Sequence, residues 1–353
     1  MEILKKERNY YFDNLKGFII ILVVMFHIVP RFVNFSLDSL YGFVSIFHMA
    51  FFILISGYFS KNKEKQARKA FSLLIIYYVL SLLLYVYCDM EVYRDISNIS
   101  KIHFNYKLFL QPFIAHSYVS WYILVLCFYR AIYPSFPNIK YSVQIAFIVG
   151  IIASLIYIPL YSIRRMILLL PFFATGYYLS KFEYKDIRKN FINRKISFVL
   201  LPIVFLIFIL FFIFLLEQKG EFNPLYFALG EFNLEKIFNR GLYILAFTII
   251  CYILAFGIIY LISTLMTDEK NFLSKIGKNS LAVYFFHSFF TITFRENFLI
   301  PWLKNEVLGT FSCLLITIVV TSIIVFVFSR DIVTKYTIAP LERLSQKILI
   351  RKD

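Results

Sequence analysis

The chain has 353 residues, of which 60% are hydrophobic and 20% aromatic, with only 16% charged. A soluble domain of this length cannot hide so much apolar surface, so a water-soluble globular fold is excluded and lipid is the expected solvent. The net charge of +16 then reads as loop charge that orients a membrane protein. No basic run has the pattern of a nucleic-acid module, and no nucleic-acid partner is expected.

Stretches able to cross a bilayer number about ten. They lie at 17–34, 41–59, 71–88, 118–133, 141–161, 166–180, 196–216, 241–266, 280–298 and 307–328. Their apolar residues do not alternate, which excludes barrel strands, and a helix satisfies its own backbone groups as lipid demands. The expected fold class is an all-α integral membrane protein with about ten transmembrane helices. The basic opening (Lys5, Lys6, Arg8, Lys16) leads into the first stretch with no small-residue cleavage site, so that helix is expected to stay attached. Most lysines and arginines fall on loops that ten crossings place on the N-terminal side, which predicts that both termini are cytoplasmic. Residues 1–328 form the expected membrane domain. The tail 329–353 mixes Ile338, Leu341, Leu344, Ile348 and Leu349 with basic residues and reads as an amphipathic helix on the inner leaflet. Segments 89–117 and 217–241 are long enough to fold over a site on the outer face. Richness in Ile, Phe, Lys and Asn suggests an AT-rich, bacterial genome, and so a bacterial plasma membrane.

The first stretch carries the most informative pattern. Lys16 and His27 are eleven residues apart, close to three helical turns, so they share a face, with the imidazole roughly 16 Å deeper. Asp13 lies on that face too. Imidazole titrates near neutral pH and can take a proton from a hydroxyl, and an ionisable group inside a membrane is costly enough to mark function. The plainer alternative is a buried histidine bonded to a backbone carbonyl.

The second stretch holds His48 in its outer half and Ser56-Gly57 near its inner end. The glycine permits close approach of a ligand or, more simply, of a neighbouring helix. The loop after it is rich in cations: Lys61, Lys63, Lys65, Arg68 and Lys69. Cations at a helix end suit a phosphate-bearing ligand, and equally suit inner-leaflet topology and anionic lipid. Trp121-Tyr122 opens the fourth stretch at the outer interface, as an aromatic belt does. Arg164 and Arg165 fall on a short outer turn, against the charge rule, where an anionic lipid or sugar diphosphate would meet them.

In the ninth stretch Ser280, Tyr284, His287 and Thr291 follow i, i+4, i+7, i+11, a polar stripe expected to face the bundle interior. It reads either as part of one cavity with His27, at matching depth, or as a hydrogen-bonded helix seam. The four cysteines are widely spaced with no CxxC or Cys/His pair, so neither metal nor a disulfide framework is expected. No mid-span carboxylate suggests a proton-coupled transporter, and no Walker A, GxGxxG, HExxH or GxSxG motif is present.

Read together, these segments resemble the acyltransferase-3 superfamily of membrane acyltransferases, in its fucose 4-O-acetylase-like branch. The resemblance rests on Tyr11-Phe12-Asp13-Asn14-Leu15-Lys16-Gly17 with His27, and on Phe47-His48-Met49 through Ser56-Gly57-Tyr58-Phe59. It continues with Trp121-Tyr122, Leu170-Pro171-Phe172-Phe173 with Gly176-Tyr177, and Ser280 through His287. It implies a ten-helix fold that moves an acyl group from cytoplasmic acyl-CoA to a sugar hydroxyl outside. It also implies that Lys16 and His27 are the essential basic residue and histidine of the first helix. Many relatives have arginine at the first position; lysine offers a point charge without the bidentate fork. The donor-associated basic motif is matched loosely by Lys65-Gln66-Ala67-Arg68. No appended esterase-like domain is expected.

The expected activity is therefore O-acylation, with acetyl-CoA as donor, of a cell-surface polysaccharide or lipid-linked sugar. His27 serves as general base or transient acyl acceptor, with Asp13 and Lys16 at the inner mouth. Ser56, Gly57 and the five loop cations hold the donor. His48, Trp121, Tyr284, His287, Arg164 and Arg165 hold the acceptor. The competing expectation is an exporter or flippase for polysaccharide or lipid-linked sugar.

Overall fold

The computed structural model describes residues 9–29, 35–101, 109–110, 119–132, 139–156, 161–219, 241–305 and 309–349. Among them all regular structure is helical, with no strand. The long helices are α1 (Tyr10–Ile28), α2 (Phe35–Tyr58) and α3 (Lys63–Leu84), the last extended by a π-helical turn at Tyr85–Asp89. There follow α4 (Trp121–Ile132), α5 (Ser142–Ser154), α6 (Tyr161–Leu179), the short α7 (Tyr184–Lys189), α8 (Arg194–Lys219) and α9 (Gly241–Leu265). The short α10 (Phe272–Lys278) leads into α11 (Ser280–Phe294), which runs through a π-helical turn at Arg295–Leu299 into α12 (Ile300–Lys304). The chain then forms α13 (Thr310–Phe328), α14 (Asp331–Tyr336) and α15 (Ile338–Leu349).

Each predicted apolar stretch is occupied by a helix, and the protein is an all-α membrane protein. Six helices are long and apolar enough to cross a bilayer: α1, α2, α3 with its π turn, α8, α9 and α13. By contrast α4 and α5 have 12 and 13 residues, shorter than the stretches from which they were expected. The first helix begins well before residue 17. Asn9 caps it by accepting from the Tyr11 amide at 3.1 Å, and Asp13 in its first turn suits the positive end of the helix dipole. Of the segments expected over the outer face, 102–108, 111–118 and 220–240 lie outside the described residues.

The helices α1 and α2 are the innermost, while α8 and α13 turn Leu206, Leu210, Phe311 and Ile323 outward, as lipid-facing helices do. Two glycine pairs set the packing. A Cβ at Gly17 would stand 2.1 Å from the Leu273 carbonyl oxygen, and one at Gly277 would stand 1.8 Å from that of Asp13. No side chain fits there, so α1 and α10 meet backbone to backbone. Asn14 rivets the joint: its amide donates to the carbonyls of Thr267 (2.8 Å) and Glu269 (2.9 Å) and accepts from Ser274 Oγ (2.6 Å). The second pair joins α2 to α6, where Cβ atoms at Gly57 and Gly176 would fall 2.3 and 2.0 Å from the carbonyl oxygens of Phe173 and Leu54. Gly57 is thus a helix-packing residue, one of the two readings the sequence left open.

Pro171 removes the amide that would bond the Ile167 carbonyl and crowds that turn of α6. Tyrosines from neighbouring helices supply donors to adjacent carbonyls, Tyr252 to Leu168 (2.7 Å) and Tyr129 to Met166, which is how a kinked helix stays satisfied in lipid. The tail is fastened to the bundle at the α10–α11 junction. Asn279 donates to the Ser329 carbonyl and to Asp331 (both 2.8 Å), and Lys278 pairs with Asp331 at 2.9 Å. These partners hold the Asp331 carboxyl below its ordinary range.

Gly277→Val is expected to force α10 off α1. Overpacking of this kind costs about 1–3 kcal/mol. The detergent-solubilised variant should therefore unfold at lower temperature than wild type, measured by intrinsic fluorescence. An unchanged transition would show that the two backbones do not meet.

Candidate active site

One cavity of about 480 Å³ opens among α1, α2, α3, α4 and α11. Its walls change character with depth. At one end stand Asn9 at the cap of α1, Asp13 and Lys16 from α1, Ser56 from α2, Lys69 from α3, Arg130 from α4 and Glu342 from α15. Deeper in stand Ile20, Phe52, Leu126, Tyr122 and Tyr284. The charged end is also the end at which α1 begins and the tail helix folds back.

Lys16 Nζ and Asp13 carboxylate pair at 2.8 Å, and Asp13 is only 4% exposed. They share the face that their spacing predicts. Across the cavity Arg130 donates to Ser56 Oγ at 2.8 Å and to Gln66 Oε1 at 2.5 Å, while Gln66 donates to the Phe59 carbonyl at 3.1 Å. Arg130 Nε has no hydrogen-bond partner among the described residues. Burial holds the Glu342 carboxyl above the usual carboxylate range, with the Lys69 ammonium acting the other way.

Helical period separates the cations of the second loop. Gln66, Lys69, Leu73 and Ile76 form the inward face of α3, and Lys69 reaches the cavity. Lys61, Lys65 and Arg68 are exposed and do not line it, contrary to the expectation that all five cations hold one ligand. The side chain of Lys63 lies outside the described ones.

Beyond the cavity lie the histidines. Each donates from Nδ1 to a carbonyl of its own helix: His27 to Val23 (2.7 Å), His48 to Val44 (2.8 Å) and His287 to Tyr284 (2.7 Å). A carbonyl only accepts, so the proton sits on Nδ1 and the neutral ring presents a lone pair at Nε2. The rings of His27 and His287 meet edge to face with centroids 5.0 Å apart. His287 Nε2 is buried with no hydrogen-bond partner among the described residues, and His27 remains partly exposed. His48 packs on Phe26 with centroids 4.5 Å apart and, like the other two histidines, does not line the cavity.

Tyr284 stands between the two regions. Its ring lines the cavity and lies 5.2 Å from that of Tyr122 and 5.4 Å from that of His287. Its hydroxyl donates to the Val119 carbonyl. Thus α4 starts beside Tyr284, only one turn along α11 from Ser280. At the start of α4 Tyr122 is buried and Trp121 half-buried. Arg164 and Arg165 are not on a turn. They lie in the first turns of α6, Arg164 2% exposed and Arg165 with its guanidinium 4.4 Å from the centre of the Trp121 ring. The aromatic face offsets the cost of burying that cation.

Three groups escaped the sequence reading. Arg130 reads in the sequence only as a cation at an inner helix end; its partners Ser56 and Gln66, on other helices, bring it to the cavity. Glu342 belonged to a tail expected on the leaflet. Arg295 ends the α11 stripe, four residues after Thr291, and donates to the His27 carbonyl at 3.2 Å. Extending the i, i+4 count by one step would have found it.

No match is found among curated proteins or among solved structures. The acyltransferase-3 family model, described as an acyltransferase domain, matches residues 9–327 and so takes in every helix from α1 to α12 and nearly all of α13. A match over that much of the sequence settles the family: this chain belongs to the acyltransferase-3 family of membrane acyltransferases.

Proposed function

We propose that the protein transfers an acyl group, acetyl by preference, from cytoplasmic acyl-CoA to a hydroxyl of a cell-surface sugar or lipid-linked sugar, in a bacterial plasma membrane. The observation that carries this reading is the imidazole pair. Two imidazole rings, each with its tautomer fixed by a backbone carbonyl, meet edge to face with centroids 5.0 Å apart, and His287 Nε2 is buried with no hydrogen-bond partner among the described residues. A buried acceptor left unpaired calls for a donor, and a substrate hydroxyl is one. The fucose 4-O-acetylase-like branch remains the best guide to the acceptor.

The donor enters at the charged end of the cavity, taken as the cytoplasmic end because basic loops cluster there. Lys16, Lys69 and Arg130 meet its phosphates, with Asp13 orienting Lys16. The volume is in the range of small-molecule sites, about 300–1,000 Å³. Exposed Lys61, Lys65 and Arg68 add an attractive field at the mouth rather than contacts. His287 Nε2 accepts from a second, neighbouring hydroxyl of the acceptor, with Trp121 and Tyr284 beside it, while His27 Nε2 takes the proton of the reacting hydroxyl. The oxygen attacks the thioester carbonyl; the C–O bond forms, the C–S bond breaks, and the proton passes to the departing thiolate. The products are an ester and free CoA.

General-base assistance contributes about 10²–10⁴-fold. His27→Ala is therefore expected to lose acyl transfer by that factor while still inserting in the membrane. Mass analysis of surface glycans checks this: the variant should keep polymer amount and lose its esters. Loss of polymer instead would favour export, and normal ester content would refute the assignment of His27.

Lys69→Met tests the donor end. A hydrogen bond to a charged group contributes about 1.5–3 kcal/mol, so KM for acyl-CoA should rise by roughly 10- to 100-fold. The turnover number should change much less. Steady-state kinetics in nanodiscs, with free thiol as readout, decides it; an unchanged KM removes Lys69 from the donor site.

A further inference from the structure

Arg295 is a cation buried at 5% exposure in a helix that runs through the bundle. Such a group is expensive in a membrane protein and should be held for a reason. Its contacts are few and specific. One guanidinium nitrogen donates to the backbone carbonyl of His27 at 3.2 Å. Two others meet the neighbouring Glu296 carboxylate, Nε at 2.9 Å and a terminal nitrogen at 2.8 Å. Glu296 itself is partly exposed, its side chain at 39%.

The carbonyl it reaches is not an arbitrary one. The last four carbonyls of a helix have no intrahelical donor, and α1 ends at Ile28. The His27 carbonyl is therefore an orphan, in the turn that presents the imidazole. Where water is excluded such an orphan is costly and its turn frays. A cation at the C-terminal end of a helix also suits the dipole.

The partner helix supplies the second half of the argument. Arg295 lies eight residues beyond His287 on α11. It opens the π-helical turn Arg295–Leu299, in which Arg295 and Leu299 are both buried. π turns shift the register of a helix and concentrate at functional sites. The turn is braced by neighbours: Asn297 donates to the Tyr93 carbonyl at 3.1 Å, and Tyr87 donates to the Phe289 carbonyl at 2.8 Å. One side chain thus ties the end of the helix bearing His27 to the helix bearing His287, just beyond their imidazole contact.

We infer that Arg295 is a positioning residue for the reaction. Its bond to the His27 carbonyl fixes the last turn of α1, and so fixes the separation and orientation of the two imidazoles; Glu296 balances its charge. The inference rests on the reading of His27 as the base, but its geometric half does not. Misplacing a catalytic group by about 1 Å costs on the order of 10²-fold in rate.

The experiment compares wild type, Arg295→Met and Arg295→Lys in nanodiscs. Acyl-transfer kinetics are measured across pH. Modification of His27, His48 and His287 by diethyl pyrocarbonate is followed by mass spectrometry. Arg295→Met should lower kcat by about 10²-fold, leave KM for acyl-CoA nearly unchanged, and shift the acid limb of the pH profile. It should change the modification rate of His27 several-fold while His48 reacts as before. Arg295→Lys, which can still donate to the carbonyl, should recover part of the rate. The inference is overturned if His27 reactivity is unchanged in Arg295→Met. It is also overturned if the activity loss only matches a loss of folded protein by size exclusion, with the pH profile unmoved. Should His27→Ala retain activity while Arg295→Met still alters His27 labelling, the base assignment fails and the positioning stands.

Discussion

The contact of α1 with α10 at Gly17 and Gly277 is the constraint from which the rest of the site follows. With hydrogen in place of two side chains, the backbones touch, and Asn14 locks their register through the Thr267 and Glu269 carbonyls and Ser274. From that joint α1 and α11 run in the same direction. His27 lies ten residues beyond Gly17, and His287 lies ten beyond Gly277. From there the two helices bring the His27 and His287 rings together, with centroids 5.0 Å apart. A seam of larger residues would let the helices slide, and a slip of one residue rotates a side chain by about 100° around its helix.

Tyr284 couples the two functional regions. Its side chain belongs to the charged cavity, while its backbone carbonyl sets the tautomer of His287. The cavity as described stops at the Tyr122 and Tyr284 rings, with the imidazoles on the far side. An acyl group reaching His27 from the cavity has to pass these rings. The Tyr284 ring lies tilted between Tyr122, at 5.2 Å, and His287, at 5.4 Å between centroids. On the proposed reading, this arrangement would keep water in the charged end from the thioester, which is the value of an apolar step between mouth and reacting centre.

The helices were legible in the sequence because lipid imposes so simple a rule: a long apolar run must be helical. The facing histidines were also legible, since Lys16 with His27 and Ser280 with Tyr284 and His287 each repeat at helical spacing along one element. What the sequence concealed was tertiary. Lys69 and Lys65 are both lysines of the same loop, and only the start of α3 at Lys63 decides which of them points inward. Arg130 looks like a topology signal until Ser56 and Gln66 are placed beside it. Arg164 and Arg165 interrupt an apolar run and so read as a turn; an arginine stacked on an indole can be carried inside a helix instead. Hydropathy measures apolarity and not where a helix begins, so α4 is shorter than the stretch that predicts it.

The way the histidines are held constrains the chemistry that follows from the proposal. Many catalytic imidazoles lean on a carboxylate, which orients the ring and also balances the charge it gains. Here the orienting groups are carbonyls one turn back in the same helix, at 2.7 Å for both His27 and His287. A carbonyl fixes the tautomer as well as a carboxylate does but brings no negative charge. The positive charge of Arg295 nearby is already matched by Glu296. Among the described residues no carboxylate pairs with His27, so under the proposed reaction an imidazolium formed there would be favoured only while negative charge develops beside it. The tetrahedral oxyanion and then the thiolate supply that charge for the lifetime of the reaction alone. On the proposed reading, proton capture would thereby be tied to attack on the thioester, and a hydroxyl would be activated only when a donor is there to receive it.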